Sequence, residues 1–213
     1  MNFPDNKIYY ERNLPHYQEP EATLFITFRL AGSLPHEVKA RLNDELLRRK
    51  EFLERNKSTE QIIDLFEQHQ KEIFGHWDQE LDLSKRGPVW LQIDPVAELV
   101  WEALHYRDGK EYTLDACCIM PNHVHLVCTP LTVNDEPRYI SSIMHSLKGY
   151  TARKANLILG RTGYFWQHES YDRVVRDANE LQRIIKYVLN NPVKAGLTDR
   201  PELWKWTYLK DFS

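Results

Sequence analysis

The spacing of apolar residues changes period several times along the chain, and each change predicts an element. Residues 23–30 (Thr23-Leu24-Phe25-Ile26-Thr27-Phe28-Arg29-Leu30) alternate and are rich in β-formers, which predicts a strand. Gly32, Ser33 and Pro35 end it. From 36 to 82 the pattern turns highly charged, with Leu42, Leu46, Leu47, Phe52, Leu53, Ile62, Ile63 and Phe66 at helical spacing. A pair of helices joined near 56–58 is expected there, with Ser58-Thr59-Glu60-Gln61 as a fresh helix start. Such a charged hairpin reads as a solvated insertion or an interaction arm.

After a boundary at Lys85-Arg86-Gly87-Pro88, residues 94–106 predict a helix with Asp94 as N-cap and Pro95 in its first turn. Strands are expected at 112–120 and 123–129, paired as a hairpin across Pro121-Asn122. A helix over 139–159 carries Ile140, Ile143, Met144, Leu147 and Ile158 on one face. Short extended pieces follow at 164–167 and 171–176. The last helix is expected from about 178 to 191, capped by Asp177, with a stripe of Leu181, Ile184, Ile185 and Val188 and a stop imposed by Pro192. The order predicts an α+β domain with helices packed on an antiparallel sheet.

Within this frame, Asn122-His123-Val124-His125-Leu126 carries the strongest chemical signal. Residues i and i+2 of a strand share a face, so His123 and His125 point one way while Val124 and Leu126 point into a core. Two adjacent imidazoles can form two legs of a divalent-metal site. The bland alternative is a half-exposed strand with two solvated histidines. On the last helix, Tyr187 and Asn191 are one turn apart, to the side of the apolar stripe. Asn191 can offer a carbonyl oxygen to Mg²⁺ or Mn²⁺, and a metal-polarised phosphate would suit attack by Tyr187. A tyrosine in that place also serves simply as a packing residue.

Charge and composition narrow the classes. The net charge of −3 conceals a C-terminal part, 138–213, with 13 basic and 7 acidic residues. That imbalance suits local contact with a polyphosphate, and it is equally what ordinary uneven charge looks like. Lys148, Arg153, Lys154, Arg173, Arg176 and Lys194 are the candidate phosphate contacts. Tyr164 could stack on an unpaired base, whereas Phe165 and Trp166 read as a core corner. Three cysteines (Cys117, Cys118 and Cys128) form no disulfide framework and read as small core residues in a reducing compartment. No apolar run is long enough to span a membrane, and the first residues carry no basic-then-apolar secretion signal, so a cytoplasmic protein is expected.

Several motifs in order resemble one family. Met120-Pro121-Asn122-His123-Val124-His125-Leu126-Val127 is similar to the histidine–hydrophobe–histidine (HUH) signature of single-tyrosine insertion-sequence transposases. Asn13-Leu14-Pro15-His16-Tyr17, Phe28-Arg29-Leu30-Ala31-Gly32-Ser33-Leu34-Pro35, Trp166-Gln167, Tyr171-Asp172-Arg173-Val174-Val175-Arg176-Asp177, Tyr187-Val188-Leu189-Asn190-Asn191-Pro192-Val193-Lys194-Ala195-Gly196-Leu197 and Trp204-Lys205-Trp206-Thr207-Tyr208 resemble the REP-associated tyrosine transposase branch. The resemblance implies one ferredoxin-like HUH nuclease domain over 1–213, with a helical insertion at about 36–86. It implies a metal-dependent enzyme that nicks single-stranded DNA beside REP-like palindromic hairpins through a 5′-phosphotyrosine intermediate, as monomer or homodimer. Tyr187 takes the place of the nucleophile, His123 and His125 those of metal ligands for Mg²⁺ or Mn²⁺. Asn191 takes the place of the third ligand, which is glutamine in many relatives. Three rival readings remain: a hairpin-binding protein without cleavage, a zinc protein using His123 and His125 with Cys117 or Cys128, and an RNA nuclease.

Overall fold

The computed structural model describes the backbone of residues 9–11 and 15–17, then 21–38 and 87–211, and between them the helical positions 40–41, 44, 47–48, 74–76 and 78–81. The described chain divides into two compact units, one comprising 1–31 and 89–213, the other 32–88.

The larger unit is built on a five-stranded sheet. Its strands are β3 (Leu24–Arg29), β4 (Tyr112–Ile119), β5 (His123–Pro130), β8 (Tyr171–Val174) and β9 (Thr207–Leu209), in the order β8-β3-β5-β4-β9 and antiparallel throughout. Two further ribbons pair β1 (Tyr9–Glu11) with β2 (Pro15–Tyr17), and β6 (Thr132–Val133) with β7 (Glu136–Pro137). The predicted hairpin forms: Ile119 opposes Val124, and Met120 N–H donates to the His123 carbonyl at 2.9 Å to close the turn.

One sheet face is the hydrocarbon core. Leu24, Ile26, Phe28, Leu114, Cys117, Ile119, Val124, Leu126 and Cys128 pack there with α1 (Asp94–His105) and α2 (Ile140–Ile158). A β-bulge at Asp115, between Leu114 and Ala116, shifts the pairing of β4 by one residue. It transfers core-facing duty from even to odd positions, so Cys117 and Ile119 follow Leu114 on the same face. The opposite face carries Phe25, Thr27, Arg29, His123, His125 and Val127, and α3 (Ala178–Lys194) packs on β4 and β5.

The tryptophan-rich C-terminal motif has a structural task. Trp204 Nε1 donates to the Ile119 carbonyl at 2.9 Å, and Ile119 N–H donates to the Trp206 carbonyl at 2.9 Å, which docks edge strand β9 on β4. Trp166 is likewise a satisfied core residue, 5% exposed, with Nε1 donating to Thr151 Oγ1 at 2.8 Å. Phe165 is buried beside it, and Tyr164 is 87% exposed.

Four expectations need correction. Asp94 is not the cap of α1. Ile93 is, with no side-chain capping bond, and Asp94 sits in the first turn, where its charge suits the positive helix end. Ile158 is exposed: the buried line of α2 runs Ile140, Ile143, Met144, Leu147, Thr151, Ala155, and Ile158 falls beyond it in the turn before Gly160. α3 does not stop before Pro192 but continues to Lys194. Pro192 lacks the N–H that would have bonded the Val188 carbonyl, and the helix runs two residues past it. The helix end is completed by Ala195 N–H to the Asn191 carbonyl and Leu197 N–H to the Pro192 carbonyl, both 2.9 Å. The buried face of α3 is also turned: Ile184, Val188 and Asn191 form it, while Leu181 and Ile185 are half-buried.

In the smaller unit the described positions between 36 and 48 and between 74 and 81 are helical, and an Arg41–Glu80 ion pair links the two segments. The rest of the predicted helical pair (Leu42, Leu46, Phe52, Leu53, Ile62, Ile63, Phe66 and the 58–61 cap), with Lys85-Arg86, lies outside the described residues. Described Leu47 is 56% exposed. At the base of this excursion Gly87 adopts φ +117°, and a Cβ there would lie 2.8 Å from the Gly32 carbonyl oxygen, so only glycine fits.

Replacing Leu126 by alanine empties a site sealed on all sides and should cost about 2–5 kcal/mol in urea unfolding. Leu157→Ala, at an exposed position of α2, should stay within about 0.5 kcal/mol of the parent.

Candidate metal and nucleophile site

The register of β3 against β5 builds the site. Thr27 opposes His125 and Arg29 opposes His123, so all four side chains start from one face of the sheet. The solvated-histidine alternative fails: His123 is 1% and His125 0% exposed. Their Nε2 atoms stand 3.0 Å apart. Two nitrogens bound to one ion at about 2.1 Å and at right angles are also separated by about 3.0 Å, so the pair fits two adjacent positions of an octahedral cation. Each outer nitrogen is held: His123 Nδ1 donates to Asn122 Oδ1 at 2.6 Å, and His125 Nδ1 lies 2.8 Å from Thr27 Oγ1. Such outer partners fix ring orientation and leave Nε2 for the metal.

α3 brings the phenol. Asp177 Oδ1 accepts from Glu180 N–H at 2.7 Å, the expected cap. Buried Glu180 in turn accepts from Arg173 Nη1 at 2.7 Å and from Arg176 N–H at 2.9 Å, anchoring the helix start to β8. From this start Tyr187 reaches His125, with ring centroids 5.5 Å apart, edge to face. Phe25 organises both, stacking on His125 at 5.8 Å and meeting Tyr187 edge-on at 6.0 Å. Lys194, two turns along α3, holds its Nζ 5.7 Å from the Tyr187 ring centre. Tyr187 is half-buried. The other tyrosine against Phe25, Tyr171, is buried, and that burial pushes its phenol well above the ordinary range, with Arg173 opposing. Of the two tyrosines, Tyr187 is the more exposed.

Asn191 does not flank the apolar stripe as expected but lies on it, fully buried, one turn after Tyr187. Among the candidate phosphate contacts, Arg153, Lys154, Arg176 and Lys194 are exposed. Lys148 Nζ donates to the His168 carbonyl at 2.8 Å and to Ser170 Oγ at 3.2 Å, and Arg173 is ion-paired with Glu180. Phe25, Thr27 and Arg29 also stand on the histidine-bearing face, and their only sequence signal is their odd-numbered alternation in β3. Arg29 is 5% exposed; burial lowers its guanidinium to about 10, with Glu169 pulling the other way, so it remains a cation opposite His123 at neutral pH.

The cysteines do not join the histidines. Cys117 and Cys128 face the hydrocarbon core, on the other side of the sheet from His123 and His125, and burial pushes both thiols above their ordinary range. Cys118 opposes His125 but is engaged by Met120 Sδ at 3.7 Å and Thr207 Oγ1 at 3.6 Å. This removes the basis for a zinc site with Cys117 or Cys128.

Residues 91–191 match the model of the family described as IS200-like transposases. Among individual proteins, a putative REP-associated tyrosine transposase of Haemophilus influenzae is 27% identical over 100 residues, which are 43% of this chain and 56% of that protein. The match thus spans little more than half of that relative. A solved structure of a REP-associated tyrosine transposase bound to a REP hairpin superposes with a TM-score of 0.51 at 16% identity, over 93% of this chain and 80% of that one, and so shares the fold. Residues 91–191 are thus similar to the IS200-like transposases, and the chain shares its fold with a REP-associated tyrosine transposase.

Because the strand faces separate them, Cys117→Ala and Cys128→Ala should leave Mn²⁺ affinity within about twofold of the parent, whereas His123→Ala or His125→Ala should lower it at least about tenfold. Titration followed by electron paramagnetic resonance reads this directly.

Proposed function

We propose that the protein is a metal-dependent single-stranded DNA endonuclease and strand transferase, a transposase that nicks DNA beside REP-type hairpins. The observation that carries this reading is the approach of the Tyr187 ring to His125, 5.5 Å between centroids, beside two imidazole nitrogens spaced for one cation. His123, His125 and Asn191 are the residues that would hold Mg²⁺ or Mn²⁺. When bound, the ion polarises the scissile phosphate.

Tyr187 attacks that phosphorus in line. A bond forms between the phenol oxygen and phosphorus, the bond to the 3′ oxygen breaks, the phenol proton is lost to solvent, and the 3′ oxygen takes up a proton as a free hydroxyl. The product is a tyrosine 5′-phosphodiester, whose energy is close to that of the bond broken, so a 3′ hydroxyl can reverse the step and transfer the strand. Phe25 keeps the tyrosine and the imidazole in fixed relation, and the Lys194 ammonium favours negative charge near the ring. Lys148, Arg153, Lys154, Arg173, Arg176 and Lys194 would supply phosphate contacts that hold a hairpin, with the exposed four contributing most. No helix among the described residues is long and apolar enough to cross a membrane, in keeping with work on DNA in the cytoplasm.

Incubation with a 5′-flanked DNA hairpin and Mn²⁺ should give a covalent protein–DNA adduct. Tyr187→Phe should abolish the adduct while hairpin binding stays within about threefold; an adduct that persists in this variant would contradict the assignment, and so would cleavage of RNA hairpins in preference to DNA. In a salt titration of hairpin binding, the double variant Arg153→Ala with Lys154→Ala should reduce the slope of log affinity against log salt by about 2.

A further inference from the structure

The helix that carries Tyr187 is pinned to the sheet at two places on one of its faces. Glu180 and Tyr187 are seven residues apart in α3, which puts them two turns apart and within about 20° of each other around the axis. Glu180 lands on β8 and the turn after it: its Oε1 accepts from Arg173 Nη1 at 2.7 Å and its Oε2 from the Arg176 N–H at 2.9 Å. Tyr187 lands edge-on against Phe25 of β3 and against His125 of β5. The two landing places are neighbours, because Arg173 directly opposes Phe25 in the antiparallel pairing of β8 with β3. One cross-strand pair thus receives both ends of the contact.

These contacts differ in what they specify. Ile184 and Val188, buried on the same helix face, are held by apolar burial, which has no preferred direction and tolerates a small roll of the helix. The Glu180 carboxylate does not. Its side chain is 5% exposed against 20% for Arg173, and a buried charge that loses its hydrogen-bonded partner is strongly disfavoured. A tyrosine oxygen stands roughly 8 Å from the axis of its helix, so a roll of about 20° carries it about 3 Å. A misplacement of about 1 Å already costs on the order of 100-fold in rate. We propose that Arg173 and Glu180 are positioning residues: their ion pair sets the roll of α3 and thereby aims the Tyr187 phenol at the site formed by the two histidines. The pair acts through the helix, with Phe25 as the second stop.

This rests on Tyr187 as the nucleophile, and the test separates the two. Adduct formation by the full chain with Mn²⁺ and a 5′-flanked DNA hairpin is followed in a single turnover at saturating hairpin, beside hairpin affinity. The variants are Glu180→Gln, Arg173→Ala, their double and Arg173→Lys, each checked for folding by urea unfolding. Glu180→Gln keeps the size of the side chain but turns an NH₂ toward one of the two donors. It should slow the adduct about 10–100-fold with hairpin affinity within about threefold of the parent. Arg173→Ala should slow it comparably even at saturation, and the double should be no more than about threefold slower than either single, since all three break one contact. Arg173→Lys should return to within about fivefold of the parent. A parent-like rate in Glu180→Gln or Arg173→Ala, losses that multiply in the double, a loss in Arg173→Ala that saturating hairpin removes, or no recovery in Arg173→Lys overturns the positioning role and leaves the function reading intact. If Glu180→Gln does not fold, the two Arg173 variants decide by the same outcomes. A parent protein that forms no adduct overturns both.

Discussion

The pairing register of β3 with β5 is the constraint on which the rest depends. It sets Thr27 beside His125 and Arg29 beside His123 on the face that α3 covers, and sends Phe28, Val124 and Leu126 into the hydrocarbon core. A slip of one residue would invert both faces, burying two imidazoles among leucines and turning the apolar set toward the helix that carries Tyr187. The sealed core on one side thus specifies the chemistry on the other: every apolar contact made by Val124 and Leu126 also fixes where the histidines between them point.

The second sheet face accepts polar groups at positions a purely structural layer would fill with hydrocarbon. Glu180 and Asn191 are buried on α3, and Thr27, Arg29, His123 and His125 are buried on the strands opposite. Buried polar atoms are costly unless bonded, and several here are bonded: Glu180 to Arg173 and the Arg176 N–H, Thr27 to His125, Asn122 to His123. The same bonds that offset desolvation also orient the imidazoles and the helix start, so stabilising the layer and preorganising the site are one arrangement. Nearly aligned tilts of Phe25 and His125, with Tyr187 edge-on to both, then leave the phenol a narrow choice of position.

Local signals were legible in the sequence and long-range ones were not. The β4–β5 hairpin, α1, α2, the Asp177 cap and the pairing of His123 with His125 on one face all follow from patterns within a few residues. Tyr187 was reached through the ordered motifs. What escaped reading depends on distant partners: Thr27 contributes only because β3 pairs with a strand about a hundred residues later, and Phe25 because a helix still further on closes over it. The face assignment of the cysteines needed the Asp115 bulge, since unbroken alternation would put Cys118 with Leu114. The turned buried face of α3 is hidden because apolar counting favours Leu181 and Ile185 over Glu180 and Asn191, and Pro192 reads as a stop although the helix runs on to Lys194.

The proposed function stands on one cation joining the two imidazoles within reach of the Tyr187 phenol. Anomalous scattering from crystals of the full chain grown with Mn²⁺ should show a single manganese peak bonded to His123 Nε2 and His125 Nε2, with the Asn191 side chain completing the protein ligands and the Tyr187 oxygen turned toward it. A peak bound elsewhere, or imidazoles that bind manganese while Tyr187 lies turned away from it, would overturn that arrangement.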